Sequence, residues 1–190
     1  MKKSSLILLT STVLLASEIN ANAHEITKKI YGKANVTIGY SAQVYADNIS
    51  FYNTTHALSV GAGYNFYYKF NDLFNPFVGG NVEFRIPLTQ TVVDQWGIKL
   101  MDVFSMHMKL GAKFNICKEF AVQPYALLGM SAIARKLDDE SFGGAAFSGG
   151  LGVESIIKDI FIVGLEWKAS TAIGFQTAHQ IGIKFGVQFL

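Results

Sequence analysis

Eight stretches of this chain place an apolar or small side chain at every second residue, and the face so formed carries no Asp, Glu, Lys or Arg. The stretch HALSVGAGYNFYYKF, His56 to Phe70, shows it best. Successive strand side chains point to opposite faces. One face is therefore Leu58, Val60, Ala62, Tyr64, Phe66, Tyr68 and Phe70, and the other is Ala57, Ser59, Gly61, Gly63, Asn65, Tyr67 and Lys69. The same uncharged alternation runs through 34–44, 76–86, 104–116, 120–134, 145–157, 161–169 and 181–189. A charge facing lipid at mid-bilayer costs about 2–4 kcal/mol, so its absence from one whole face is what a lipid-facing wall requires.

The opposite face holds Lys33, Lys69, Glu83, Arg85, Lys109, Lys113, Arg135, Glu154, Glu166, Lys168 and Lys184, interleaved with most of the glycines. A soluble eight-stranded barrel would also alternate, with its polar face in water. Glycine weakens a strand, and a water-facing surface gains nothing from it. A narrow barrel interior does gain, because eight strands leave just enough room for side chains and long charged ones need small neighbours. The alternation thus predicts an all-β, eight-stranded antiparallel up-and-down barrel spanning a membrane.

The connections support that reading. Short links at Asn71–Asn75, Cys117–Glu119 and Lys158–Asp159 alternate with long ones at Ala46–His56, Pro87–Asp102, Lys136–Gly143 and Ser170–Ala178. Outer-membrane barrels alternate in this way, with short periplasmic turns and longer extracellular loops. With both termini periplasmic, the long links fall outside. Phe70, Phe114, Phe120, Phe161 and Phe189 then lie at the short-turn end, and Tyr40, Phe84, Phe104, Phe147 and Trp167 toward the other. Two aromatic levels bracketing an apolar band are the expected interfacial girdles. Pro124, inside a strand, predicts a bulge or a missing ladder bond.

The first residues read as an export signal. Lys2 and Lys3 precede the apolar run Leu6–Ala16, and Ala21-Asn22-Ala23 offers a small-x-small cleavage site. Residues 1–23 are expected to be removed before His24, leaving 24–190 as one barrel domain. Cys117 is the one cysteine, so no intrachain disulfide, cysteine metal cluster or lipid-anchored N-terminus is expected. With Lys+Arg 16 against Asp+Glu 14 and no basic stripe, nucleic acid is not an expected partner. Half the residues are hydrophobic and mean hydropathy is +0.27, yet no mature stretch approaches the ~20 apolar residues of a membrane helix. That combination suits a membrane barrel, whose strands carry weak individual signals.

The signal segment, the eight alternating segments and the aromatic-rich end IKFGVQFL (Ile183–Leu190) resemble the small eight-stranded outer-membrane proteins of Gram-negative bacteria, of the OmpX/Ail and OmpA transmembrane-domain type. The chain departs from their usual pattern in ending on Leu190, with Phe189 penultimate. The composition is also similar to small surface proteins of rickettsia-like bacteria, some of which are adhesins. The resemblance implies a monomer among outer-membrane lipid and lipopolysaccharide, without a cofactor.

Three places could carry function. The inward charges Glu83, Arg85, Lys109, Arg135, Glu154, Glu166, Lys168 and Lys184 form a lumen network, either a structural plug or the gate of a small-solute or ion pore. Unpaired charges there would cost several kcal/mol each, so Glu83, Glu154 and Glu166 should pair, with Arg85, Arg135 and Lys168 nearest. Ser105 and His107 share an inward face and are the one arrangement resembling a catalytic pair; facing away from lipid, they argue for no enzyme. No spacing suggests a metal site. The long links remain: Phe51 and Tyr52 in the first, Val92, Val93 and Trp96 in the second. Such side chains either extend the strands or anchor a partner, for which a host cell-surface protein is the expected choice.

Overall fold

The computed structural model describes residues 29–45, 55–88, 99–137, 140–171 and 177–189, side chains excepted at 45, 99–102, 133–137 and 140–143. They form β1 (Ile30–Tyr45), β2 (Thr55–Tyr68), β3 (Phe74–Pro87), β4 (Lys99–Cys117), β5 (Phe120–Leu137), β6 (Glu140–Ile157), β7 (Phe161–Thr171) and β8 (Thr177–Phe189). Each strand pairs antiparallel with the next, and β8 closes on β1. The expected eight-stranded barrel is the fold.

The register fixes the barrel's dimensions. Asn35 pairs with Gly63, which leads in turn to Asn81, His107, Gly129, Ser148, Ser170, Ala178 and back to Tyr45. One circuit therefore climbs ten residues along β1, from 35 to 45. That stagger on eight strands tilts them by about 40° and leaves an interior that side chains fill. At this tilt Phe104 and Phe114 on β4 lie roughly 24 Å apart along the axis, close to the ~25 Å apolar band of an outer-membrane barrel.

Burial runs opposite to that of a soluble protein. Leu128 is 70 % exposed and Phe147 66 %, while the inward Ser105 and Gln123 are fully buried. The wall also carries the two aromatic levels. At the short-turn end Phe70 meets Phe74 in a T-shape and Phe74 meets Phe114 at a tilt, and toward the other end Phe84 and Phe104 pack tilted with centroids 4.9 Å apart.

Two local expectations are corrected. The third long link is not a loop, because β5 runs to Leu137 and pairs with Glu140, so 136–143 is mostly hairpin. Paired strands satisfy the backbone groups that an open loop would leave to solvent. The second link also shortens, since Lys99–Asp102 already pair with β5. At Pro124 the β4–β5 ladder passes from Gly111↔Tyr125 to Phe114↔Val122 with no register shift; the shifts lie at Asp102/Phe104 and Asn115/Cys117. The proline, which lacks an N–H, thus interrupts pairing without adding a residue.

Candidate functional site

The lumen is filled in three tiers. At the short-turn mouth the β6–β7 turn carries two successive left-handed residues, Lys158 (φ 52°) and Asp159 (φ 55°). The Ile160 N–H donates to Ile157 O across these two central residues, a left-handed pair that matches strand twist but normally uses Asn-Gly. Here it tucks Asp159 under the barrel, where its carboxylate accepts from Lys33 at 2.8 Å, Lys113 at 2.7 Å and Gln188 at 3.0 Å. Partial burial raises the Asp159 pKa, but the hydrogen bonds from Lys113 and Lys33 outweigh this and hold it below the ordinary aspartate value. A group with a depressed folded pKa contributes stability above its unfolded pKa and loses it as pH falls through the folded one. Asp159→Asn should therefore flatten the stability–pH curve below about pH 4. Urea midpoints of both proteins measured from pH 6 to 2 check this; parallel curves would refute it. Beside the turn, a cavity of about 620 Å³ opens at this mouth, lined by Lys33, Lys69, Lys113 and Asp72 among others.

Above lies an aromatic and amide tier. Tyr31 and Tyr67 stack at 5.0 Å, and Tyr67 packs on Phe77 at 5.3 Å. The Tyr67 hydroxyl crosses the lumen from β2 to donate to Gln123 Oε1 on β5 at 2.8 Å, and Asn65 donates to Tyr67 at 3.3 Å. Gln123 in turn donates to Glu154 at 3.1 Å.

The third tier is a chain of alternating charges. Lys109 meets Glu154 at 2.7 Å; Glu154 and Glu166 share Lys184, each at 2.9 Å. Glu166 meets Lys168 at 2.8 Å, Lys168 meets Glu83 at 2.6 Å, and Glu83 meets Arg85 at 2.9 Å. Tyr125 donates to Glu166 at 2.7 Å, with Lys109 and Lys184 both over its ring. Each carboxylate thus faces two cations. That arrangement suits groups whose desolvation must be offset by attraction in a low-dielectric interior. Glycine makes room: a Cβ on Gly164 would touch Lys184 and Glu154 at 3.0–3.1 Å. Next to this tier, the lumen keeps a cavity of about 30 Å³, roughly one water.

Of the sequence-derived network, the structure joins Glu83, Arg85, Lys109, Glu154, Glu166, Lys168 and Lys184. The side chain of Arg135 lies outside the described residues, as do the loop residues Phe51, Tyr52, Val92, Val93 and Trp96. Glu154 pairs with Lys109 and Lys184 rather than with the cations expected nearest, because strand stagger brings β4 and β8 to its level. Sequence reading missed Asp159, Tyr67, Gln123 and Tyr125. For the two tyrosines a signal was available, since Tyr31, Tyr67, Phe77 and Tyr125 are aromatics on the inward face. Ser105 and His107 are both buried, but His107 Nε2 engages Ser148 at 2.8 Å and its Nδ1 meets no partner. Among the described residues no carboxylate hydrogen-bonds this imidazole, and a nucleophilic relay would need that third member. The described residues hold no group of three metal-binding side chains.

The profile of the outer membrane protein beta-barrel domain matches residues 8–189. The chain belongs to this family. Its localisation to the bacterial outer membrane follows. Among solved structures it is similar to neisserial surface protein A, at TM-score 0.56 and 9 % identity over 84 % of this chain and 97 % of that one. It is also similar to Ail, the attachment invasion locus protein of Yersinia pestis, at TM-score 0.45 and 15 % identity over 83 % and 99 %. The N-terminal barrel of Pseudomonas aeruginosa OprF gives TM-score 0.41 and 13 % identity over 84 % and 100 %. No curated protein matches the sequence. At these identities the likeness concerns fold alone.

Proposed function

We propose that this outer-membrane barrel is a monomeric, non-enzymatic surface protein that contacts a host or partner cell-surface protein through its β1–β2 and β3–β4 links. In this reading residues 1–23 are removed on export, the long links lie outside and both termini are periplasmic. The observation that carries it is the filled lumen. The Tyr67–Gln123 crossing and the charge chain above it fill the lumen with paired side chains, which favours this reading over the ion-pore alternative. A rigid barrel with a filled interior serves best as a platform, and binding on such scaffolds is carried by exposed loops. Phe51, Tyr52, Val92, Val93 and Trp96 are the anchors assigned here, since buried aromatics dominate interface energetics.

The test is display on a non-adherent bacterium, counting cells bound to epithelial monolayers. Cys117, exposed at the β4–β5 turn, reports orientation, because an impermeant maleimide should label it only after the outer membrane is permeabilised. Replacing both long links with short turns should reduce adhesion to background, and Trp96→Ala or Phe51→Ala should weaken it several-fold (~1–2 kcal/mol per anchor) with folding intact. Adhesion that survives loop replacement would sink this reading.

A further inference from the structure

The mouth at the short-turn end holds more positive charge than its own carboxylates neutralise. Among the described residues, the lining of its cavity of about 620 Å³ carries four lysines, Lys33, Lys69, Lys113 and Lys118, against three carboxylates, Asp72, Glu119 and Asp159. Lys69 and Asp72 pair at 3.4 Å on the exposed rim. Lys33 and Lys113 are the buried pair, with side chains 13 % and 9 % exposed, and both donate to Asp159. An ammonium has three N–H groups. Each of these two hydrogen-bonds one Asp159 oxygen among the described residues and keeps two donors beside the cavity. One aspartate leaves one of two ammonium charges over, and protein walls weaken its screening by water. The apolar part of the lining is Tyr31 and the buried Ala121 and Ile156. The rim is braced. Asn71 Oδ1 accepts from the Leu73 and Phe74 N–H groups at 2.9 and 2.6 Å, and Asn115 Nδ2 donates to Asp72 O at 2.7 Å.

We propose that this mouth binds an organic monoanion, a single carboxylate on a small apolar body, with Lys33 and Lys113 donating to it alongside Asp159. The surplus charge is positive, which disfavours a cation, and its size matches one carboxylate. A cavity of this volume lies within the range of small-molecule sites and is larger than a bare inorganic anion fills. Two ammoniums beside an apolar lining give the head and the body separate parts of the site. Lysine suits the head, because its rotatable donors meet a carboxylate in several orientations. A braced rim lowers the ordering cost of binding. The same head and body come either from a free organic acid or from the C-terminal residue of a peptide. The mouth lies at the opposite end of the barrel from the long links, so this site is independent of the loop contacts proposed above.

The experiment uses the mature chain refolded in detergent micelles, and resistance of the unheated band to denaturation verifies folding of each variant. N-acetyltyrosine stands for the peptide end and 4-hydroxyphenylacetate for the free acid. Each is titrated calorimetrically beside its neutral amide. The acids should bind about tenfold more tightly than the amides, and the tighter acid identifies the source. Lys113→Met should abolish that preference. Asp159→Asn should tighten both acids several-fold, because it removes the competing charge while asparagine keeps the left-handed turn. Cys117 lines the cavity and localises the ligand, since the acids, but not the amides, should slow its alkylation by a neutral maleimide. Equal binding of acids and amides, a preference that survives Lys113→Met, no tightening in Asp159→Asn, or undiminished Cys117 alkylation would overturn the proposal.

Discussion

Glu154→Ala should lower the unfolding free energy of this barrel by about 3–5 kcal/mol, the cost of leaving a buried cation without its counter-charge. Among the described residues Glu154 is the carboxylate within reach of Lys109, whose side chain is 3 % exposed. Lys184 would keep Glu166, but Gln123 would also lose its acceptor. The nearest compensation for Lys109 is the Tyr125 ring, 4.4 Å from its ammonium, a contact worth about 2 kcal/mol when desolvated. Urea titration in lipid vesicles, following the heat-modifiable gel shift, measures the loss. The double variant Glu154→Leu/Lys109→Met should recover most of it, because removing both charges also removes their desolvation penalty. A single variant within about 1 kcal/mol of the parent would mean that water, rather than Glu154, solvates Lys109.

Gly152→Val should be comparably damaging, for a steric reason. A Cβ at Gly152 would stand 2.3–2.7 Å from the Tyr125 ring, which lies over that glycine as a flat lid. Tyr125 is 4 % exposed and held by Glu166, Lys184 and the two ammonium groups over its faces, so it has nowhere to retreat. Overpacking costs about 1–3 kcal/mol. A displaced Tyr125 hydroxyl adds roughly 1–3 kcal/mol for its broken bond to a charged carboxylate. The sum should appear as a lower folded fraction on refolding and an earlier urea midpoint. Tyr125→Ala, itself destabilising, should make the second substitution nearly free, and a double-mutant cycle measures that coupling. Additive effects of the two substitutions would show that the ring and the glycine do not constrain each other.

These predictions separate what could be read from the chain from what could not. The alternation gave the inside and outside of every described strand: none of the described side chains assigned outward is buried, and Glu83, Arg85, Lys109, Glu154, Glu166, Lys168 and Lys184 all turned inward. Parity is a local property of an extended backbone, and a one-residue slip would put charges into lipid. Link lengths were read less well. The stretch around Asp138 and Asp139 is polar enough to suggest a loop, yet strands flank it on both sides. Composition does not report how far a hairpin continues beyond the membrane.

Pairing within the lumen lay beyond sequence because it depends on the stagger of the closed sheet. Lys109, Glu154 and Lys184 belong to β4, β6 and β8, which are not adjacent, and meet because one circuit climbs ten residues along the tilted strands. Asp159 is a stronger case. As part of a short turn it looked like punctuation, but its left-handed conformation turns it back to bind Lys33 and Lys113. By itself, then, the sequence determined the fold class, the face each residue presents and the outer-membrane setting, because these follow from period-two hydrophobicity and the cost of charge in lipid. The tertiary structure alone decided which charge meets which and which side chains cross the lumen. Those relations exist only once the last strand has found the first.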